Sequence, residues 1–212
     1  MDLKDVIPTN EIKARVGGSI KVLELSGLGR MPRIGRLEGE NVHGSALNIW
    51  NRIVQNRLKP VNPLALGPRI DGSDPLIYEE IEKLIGEPVI TDAAYFSAMQ
   101  GGTIIAKVIL FRVFPNNLHL CDVYFQNPAE PLPPQEQKWD RKCKGYGILP
   151  ILIKNMKDYA REHGIEYLTL TAAFADVVPL FEKHGFSVED NAMGRSCIQT
   201  KRCIPMELRI AP

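Results

Sequence analysis

Residues 142–148, Lys-Cys-Lys-Gly-Tyr-Gly-Ile, set two glycines one residue apart against the start of an amphipathic helix, and no other stretch constrains the fold as tightly. Gly145 and Gly147 let the backbone approach a neighbour closely and take positive φ, so consecutive N–H groups can converge on one anion. The helix that follows adds its unsatisfied first-turn donors and the positive end of its dipole. Taken alone, the same residues also fit a solvated turn with lysines beside it. What comes next is more restrictive. Leu149, Leu152, Met156, Tyr159 and Ala160 recur at intervals of three and four, while Lys154, Asn155, Lys157, Asp158 and Arg161 take the opposite face, which predicts a helix. Pro150 fits its first turn, and Arg161, His163 and Gly164 suit its last turn and stop. Residues 165–171 then read as a strand, with Leu168 and Leu170 on one face and Tyr167 and Thr169 on the other. Asp176 would cap a short helix holding Val177, Val178, Leu180 and Phe181, with Pro179 in its opening turn; Gly185 stops it and Phe186 opens another extended segment.

Upstream, residues 20–25 suit a first strand, and Arg30, Met31, Pro32, Arg33, Gly35 and Arg36 read as a basic, turn-rich connection. A helix would follow with Leu47, Trp50, Ile53 and Val54 on one face. After a proline-bearing loop over 59–72, Ser73, Asp74 and Pro75 open another helix with Ile77, Ile81, Leu84 and Ile85 inside, ended by Gly86. Residues 95–99, the Gly101-Gly102 turn, 103–114 and 118–125 read as three successive antiparallel strands, and Ile204, Met206, Leu208 and Ile210 alternate as a last strand. A meander before a loop-helix-strand-helix segment predicts an α/β (α+β) fold: a mixed, mostly antiparallel central sheet with helices on both faces.

A chain of 212 residues, 44% apolar and with net charge +1, supports one domain and lacks both a nucleic-acid-coating charge and an acidic disordered composition. No apolar run reaches membrane-spanning length, and Met1-Asp2-Leu3-Lys4-Asp5 lacks the start of a signal peptide, so a cytoplasmic protein is expected. Cys121, Cys143, Cys197 and Cys203 show neither Cys-x-x-Cys spacing nor paired histidines, so no metal and no disulfide framework is expected. Cations and a helix start beside Cys143 would favour its thiolate, which leaves a redox role as an alternative to a structural thiol.

The run KGYGILPILIKNMKDYAREHGIEYLTL followed by LFEKHGF resembles the acyl-coenzyme A-binding core of the GNAT N-acetyltransferases. In that family a loop Arg/Gln-x-x-Gly-x-Gly/Ala heads a helix and cradles the coenzyme's diphosphate, and a strand and a second helix ending in Gly-Phe follow. Lys142, Gly145 and Gly147 match the loop positions, with Lys142 where Arg or Gln is usual, and Gly185-Phe186 matches the terminal pair. The match spans about 142–186 and extends more loosely from about 91 to the carboxyl terminus. The resemblance implies a GNAT-like acyl-CoA N-acyltransferase fold over 1–212, with an acceptor-side part at 1–90 and the cofactor-binding core at 91–212. It implies acetyl-CoA as cosubstrate and direct transfer of acetyl to a primary amine of a small molecule or protein. Neither nucleic acid nor membrane is implied as a partner, and a homodimer is left open.

By the same resemblance Lys142, Cys143, Lys144, Gly145, Tyr146, Gly147 and Ile148 would hold the diphosphate. Main-chain groups near Val123, Tyr124 and Phe125 would bond the pantetheine arm and polarise the thioester. Asp122 and Tyr124 share one strand face; Asp122 is the candidate general base, against the alternative of a carboxylate satisfied by a neighbouring cation, and Tyr124 the second candidate, against simple packing. Two positions depart from the family pattern. Phe181 stands where a proton-donating tyrosine is frequent and Phe174 where an asparagine is; by the resemblance both would still line the cofactor site, and the departures keep a catalytically inactive module binding coenzyme A or a protein partner as the alternative. A third departure is residues 127–141, long and with four prolines, either a flap over the acceptor site bearing Trp139 or a surface excursion. Lys138, Arg141, Lys142 and Lys144 would meet phosphates or form a solvated basic edge. His163 and His184 suit helix ends as imidazolium caps, His119 is a weak base candidate on the face alternating with that of Asp122, and His43 reads as surface. A dinucleotide or nucleotide site fits poorly, because Pro150 occupies the third glycine position and no Gly-Lys-Ser/Thr is present.

Overall fold

The computed structural model describes residues 1–17, 20–38, 82–83, 86, 88–138 and 141–210. Strands β1 (Lys21–Ser26), β2 (Ile90–Gln100), β3 (Thr103–Val113), β4 (Asn117–Phe125), β5 (Tyr167–Phe174), β6 (Ser187–Val188) and β7 (Arg202–Arg209) form one sheet in the order β1-β2-β3-β4-β5-β7-β6. Every pairing is antiparallel except β4 with β5. The β2–β3 hairpin turns at Gly101 and Gly102, with φ of 57° and 84°, a conformation that L side chains resist. The helices are α1 (Thr9–Val16), preceded by a 3-10 turn at Leu3–Val6, then α2 (Met31–Glu38), α3 (Leu149–Glu162), α4 (Val178–Glu182) and α5 (Ala192–Thr200). This is the mixed, mostly antiparallel architecture expected.

The main core lies between the sheet and α3. Leu152, Ile153, Met156, Tyr159 and Ala160 are buried against Ala94, Phe96, Ala98, Ala106, Val108, Leu110, Leu118, Leu120, Leu168 and Leu170. Leu3, Val6, Ile7 and Ile12 complete this layer beside α3, and Asn155 ties α3 to the Val6 carbonyl at 3.1 Å. On the opposite face, α2 buries Met31 and Ile34 and places Glu38 against β3.

Several expectations need correction. The stretch read as a turn-rich connection is the helix α2: Pro32 is tolerated in its first turn, and Met31 and Ile34, three apart, are both buried. Asp176 does not cap α4; it lies in a 3-10 turn at Ala175–Val177 and pairs with Lys138. Helix α1 ends at Gly17, φ 64°, after Lys13 and Arg15, a stop signal the periodicity did not reveal over so few residues. Helix α5 begins at Asn191, whose side chain accepts from the Gly194 amide at 2.8 Å, a capping pattern overlooked because no apolar stripe follows it. The helices expected around Trp50 and Ile77, and His43, lie outside the described residues, as does Trp139.

Candidate functional site

Two features of β4 shape the site. The first is a bulge. Leu120 pairs with Leu110 but Asp122 pairs with Ile109, so Cys121 is an extra residue in β4. The extra residue reverses the alternation of side chains: Val123 and Phe125 join Leu118 and Leu120 on the α3 face, and Asp122 and Tyr124 turn to the α2 face. His119 pairs with Phe111 and therefore shares the face of Asp122, contrary to the alternation expected from an unbroken strand. It is 3% exposed and bonded through Nδ1 to Thr169 Oγ1 at 2.9 Å, so it is sealed in the sheet.

The second feature is a splay. β4 and β5 pair in parallel only from Asn117↔Tyr167 to Leu120↔Leu170. Beyond that point β5 pairs with β7 alone, from Thr171↔Pro205 to Phe174↔Arg202, while β4 stays with β3. Gln126 donates to the Ile105 carbonyl at 2.8 Å, and the alternation of an antiparallel ladder then assigns the main chain of Tyr124 to β3 and that of Val123 and Phe125 to the opening. Of the three main-chain candidates, Tyr124 is thus turned away from the gap.

Residues 142–148 sit at the mouth of this opening. Gly145 packs so closely on β4 that a Cβ there would lie 2.9 Å from the Phe125 carbonyl oxygen. Gly147 has φ 67°, and Arg15 Nη1 would stand 3.1 Å from its Cβ. The Lys144 amide is used, donating to Glu130 O at 2.9 Å. Among the described residues, no carbonyl or side chain accepts from the amides of Gly145, Tyr146, Gly147 or Ile148. These four donors precede α3, whose dipole favours an anion at that end. Lys142, Lys144, Gly145 and Gly147 are exposed, Cys143 and Tyr146 half-buried and Ile148 buried, so the loop is anchored at its helical end and open elsewhere.

The proline-bearing excursion is folded onto this loop. Asn127 donates to Lys144 O at 2.7 Å and Leu132 to Lys142 O at 3.0 Å, Pro131 bridges Cys143, and Lys138 and Arg141 exchange backbone bonds of 3.2 and 3.1 Å. Lys138 is committed to Asp176 at the end of β5, so it is not among the loop's available cations. The excursion therefore links the end of β4 to the end of β5 across the mouth of the splay.

On the α2 face, Lys107 Nζ lies 2.7 Å from Asp122 Oδ2 and 2.6 Å from Glu38 Oε2. Burial disfavours the ammonium, but the hydrogen bonds with Asp122 and Glu38 outweigh it and hold Lys107 well above the usual lysine range. Asp122 thus has the cationic neighbour that the alternative to catalysis anticipated. Glu38 also takes part with Ser97 in bonding Tyr95, whose phenol is pushed up chiefly by burial. Sequence reasoning missed Lys107 and Glu38, which are far apart in the chain and meet only through sheet register. The Tyr124 phenol is pushed up by burial and by nearby Cys143, and its hydroxyl donates to Gln126 Oε1.

Phe181 is 7% exposed and meets Phe186 edge-on at 6.2 Å, a core position. Phe174 ends β5 opposite Arg202 and is half-buried. His163 bonds the Tyr159 carbonyl at 3.0 Å and stacks on its ring, as a helix-end residue should. His184 is held below the usual imidazole range by burial and by Lys157, which disfavours the imidazolium expected there. None of the four cysteines is in a disulfide, and no group of three potential metal ligands occurs among the described residues. No helix among them is long and apolar enough to cross a membrane.

The fold is similar to that of the PaiA N-acetyltransferase from Thermoplasma acidophilum in complex with coenzyme A, with 16% identity over 91% of this chain and 99% of that one and a TM-score of 0.35. It is also similar to the ribosomal-protein-S18-alanine N-acetyltransferase from Escherichia coli, 21% identical over 56% of this chain and 69% of that one, TM-score 0.33. A GNAT family acetyltransferase from Elizabethkingia anophelis with acetyl-CoA bound is 14% identical over 62% and 82% of the two chains, TM-score 0.34. No protein-family model matches the chain, and no curated protein does. At these identities residue roles do not transfer, and the site stands on its own geometry.

Proposed function

We propose that the chain is an acetyl-CoA-dependent N-acetyltransferase of the GNAT kind, acting in the cytoplasm on a primary amine of a small molecule or protein. One observation carries the reading: the amides of Gly145, Tyr146, Gly147 and Ile148 have no acceptor among the described residues, at the head of α3 and beside a sheet that opens between β4 and β5. Four consecutive N–H groups without an acceptor, followed by a helix amino terminus, suit a diphosphate. The cofactor would supply an activated acetyl group as a thioester. The main-chain groups of Val123 and Phe125 would hold its arm along the opening and polarise the carbonyl, while Lys142 and Lys144 add charge at the loop.

Transfer forms a C–N bond, breaks the C–S bond and releases one proton from the amine. Asp122, 2.7 Å from Lys107 Nζ, is the candidate acceptor of that proton. Tyr124 retains its proton at neutral pH and is the candidate donor to the departing sulfur. A thiol of ordinary pKa, about 8.5, can also leave unaided.

A second reading, a silent module that binds coenzyme A or a protein partner, is favoured by Phe181, whose ring is packed in the core and has no proton to give. The test is in two steps. Acetyl-CoA at a hundredfold excess over its dissociation constant adds about 2.7 kcal/mol, which raises Tm by roughly 5–11 °C in a chain of this size; NAD and ATP leave it unchanged. Thiol release with a panel of amines then separates enzyme from module. A Tm indifferent to acetyl-CoA refutes the site.

A further inference from the structure

The peptide joining Tyr146 to Gly147 is gripped from behind by a residue distant in sequence. Arg15, in the last turn of α1, donates from Nη1 to the Tyr146 carbonyl at 2.6 Å. Among the described residues it bonds nothing else, and its side chain is exposed. A trans peptide is planar, so its carbonyl and its N–H point in opposite directions. Fixing the Tyr146 carbonyl on one side therefore fixes the Gly147 N–H on the other.

That orientation is not secured by the glycine itself. Gly147 stands at φ 67°, and glycine crosses between positive and negative φ with little penalty. Reversal of this peptide would turn a carbonyl where an amide now points, replacing a donor to an anion with a dipole that repels it. The Arg15 contact is the only one among the described residues that holds this peptide.

We propose that Arg15 is a positioning residue for the cofactor's diphosphate: by holding the Tyr146 carbonyl it keeps the Gly147 amide aimed at the anion. A helix outside the 142–186 segment thus completes the cradle. The inference rests on the reading of this loop as a coenzyme A site.

Two variants test it. Arg15→Met keeps an apolar stem and loses the donor, and Arg15→Lys keeps one donor and the charge. Coenzyme A binding is measured by calorimetry, and the Gly147 amide is followed in 1H–15N spectra during titration. Loss of one charge-assisted bond predicts about tenfold weaker binding for Arg15→Met, with most affinity restored by lysine. The Gly147 resonance is expected to move on titration in the wild type and in Arg15→Lys but not in Arg15→Met, and Tm of the free protein to stay within a degree or two, roughly as for an exposed side chain. Wild-type affinity in Arg15→Met, or a Gly147 resonance that still shifts in it, overturns the inference while leaving the loop's role standing. A wild-type protein that does not bind coenzyme A overturns the loop's role, and the inference with it.

Discussion

Replacing Gly145 by alanine separates a close backbone approach that serves binding from one that merely serves folding. The new Cβ would lie 2.9 Å from the Phe125 carbonyl oxygen, about half an ångström inside ordinary contact, and neither partner is the end of a flexible side chain. Gly145 is not at positive φ, so the penalty is steric alone. Overpacking of this kind costs about 1–3 kcal/mol. If the open loop moves to relieve it, the amides of 145–148 are displaced and the penalty appears as weaker coenzyme A binding, roughly 5- to 150-fold. If β4 yields instead, the penalty appears in Tm. Because the loop is exposed and β4 is paired with β3, the loop should move: we expect at least tenfold weaker binding by calorimetry, by the same conversion, and a Tm lower by only about 2–4 °C. Gly164→Ala is the control. It sits at φ 62° with nothing within 4 Å of its Cβ, past the far end of α3, so it should lower Tm through backbone strain and leave affinity untouched. Equal affinity for wild type and Gly145→Ala, or equal loss in both variants, would refute the reasoning.

Lys107→Met leaves Glu38, 9% exposed, without its cation and is expected to destabilise the fold by about 1–3 kcal/mol in urea titration. Because folding raises the Lys107 pKa, its contribution is complete below the unfolded lysine value of about 10.4 and declines as pH rises beyond it; the alkaline fall in Tm should therefore be shallower in the variant. Asp176→Asn releases the excursion from the end of β5, so amide exchange over 127–138 should quicken while stability changes by less than about 1 kcal/mol, as for other exposed pairs. The Asp176 carboxyl is held below its ordinary range chiefly by the hydrogen bond from Lys138, so the wild-type excursion should loosen only as pH falls below about 4, the usual aspartate value.

Long periodic segments were the legible part of the chain. Leu149, Leu152, Met156 and Tyr159 announced α3, and the glycine pair at 101 and 102 announced the hairpin of β2 and β3, because each pattern is local and repeats over several turns or pleats. Short helices such as α1 and α2 offer too few repeats, and their signals were capping and stop residues such as Gly17. The loop at 142–148 was also legible, since glycine spacing states a backbone requirement directly. The surroundings of Asp122 were not. Lys107 reaches it from β3 and Glu38 from α2, contacts that depend on a register shifted by one inserted residue, and no local pattern encodes them.

That inserted residue, Cys121, governs how the strand can be read against any relative. Counting by twos holds on either side of it but not through it: odd-numbered His119 and even-numbered Asp122 look the same way. A comparison with a protein whose corresponding strand runs unbroken would therefore be displaced by one place from Asp122 to Phe125, assigning the side-chain roles of Asp122 and Tyr124 to residues that face the hydrophobic layer. Correspondences here have to be counted backward from Gly145, whose contact with Phe125 supplies a fixed landmark downstream of the irregularity.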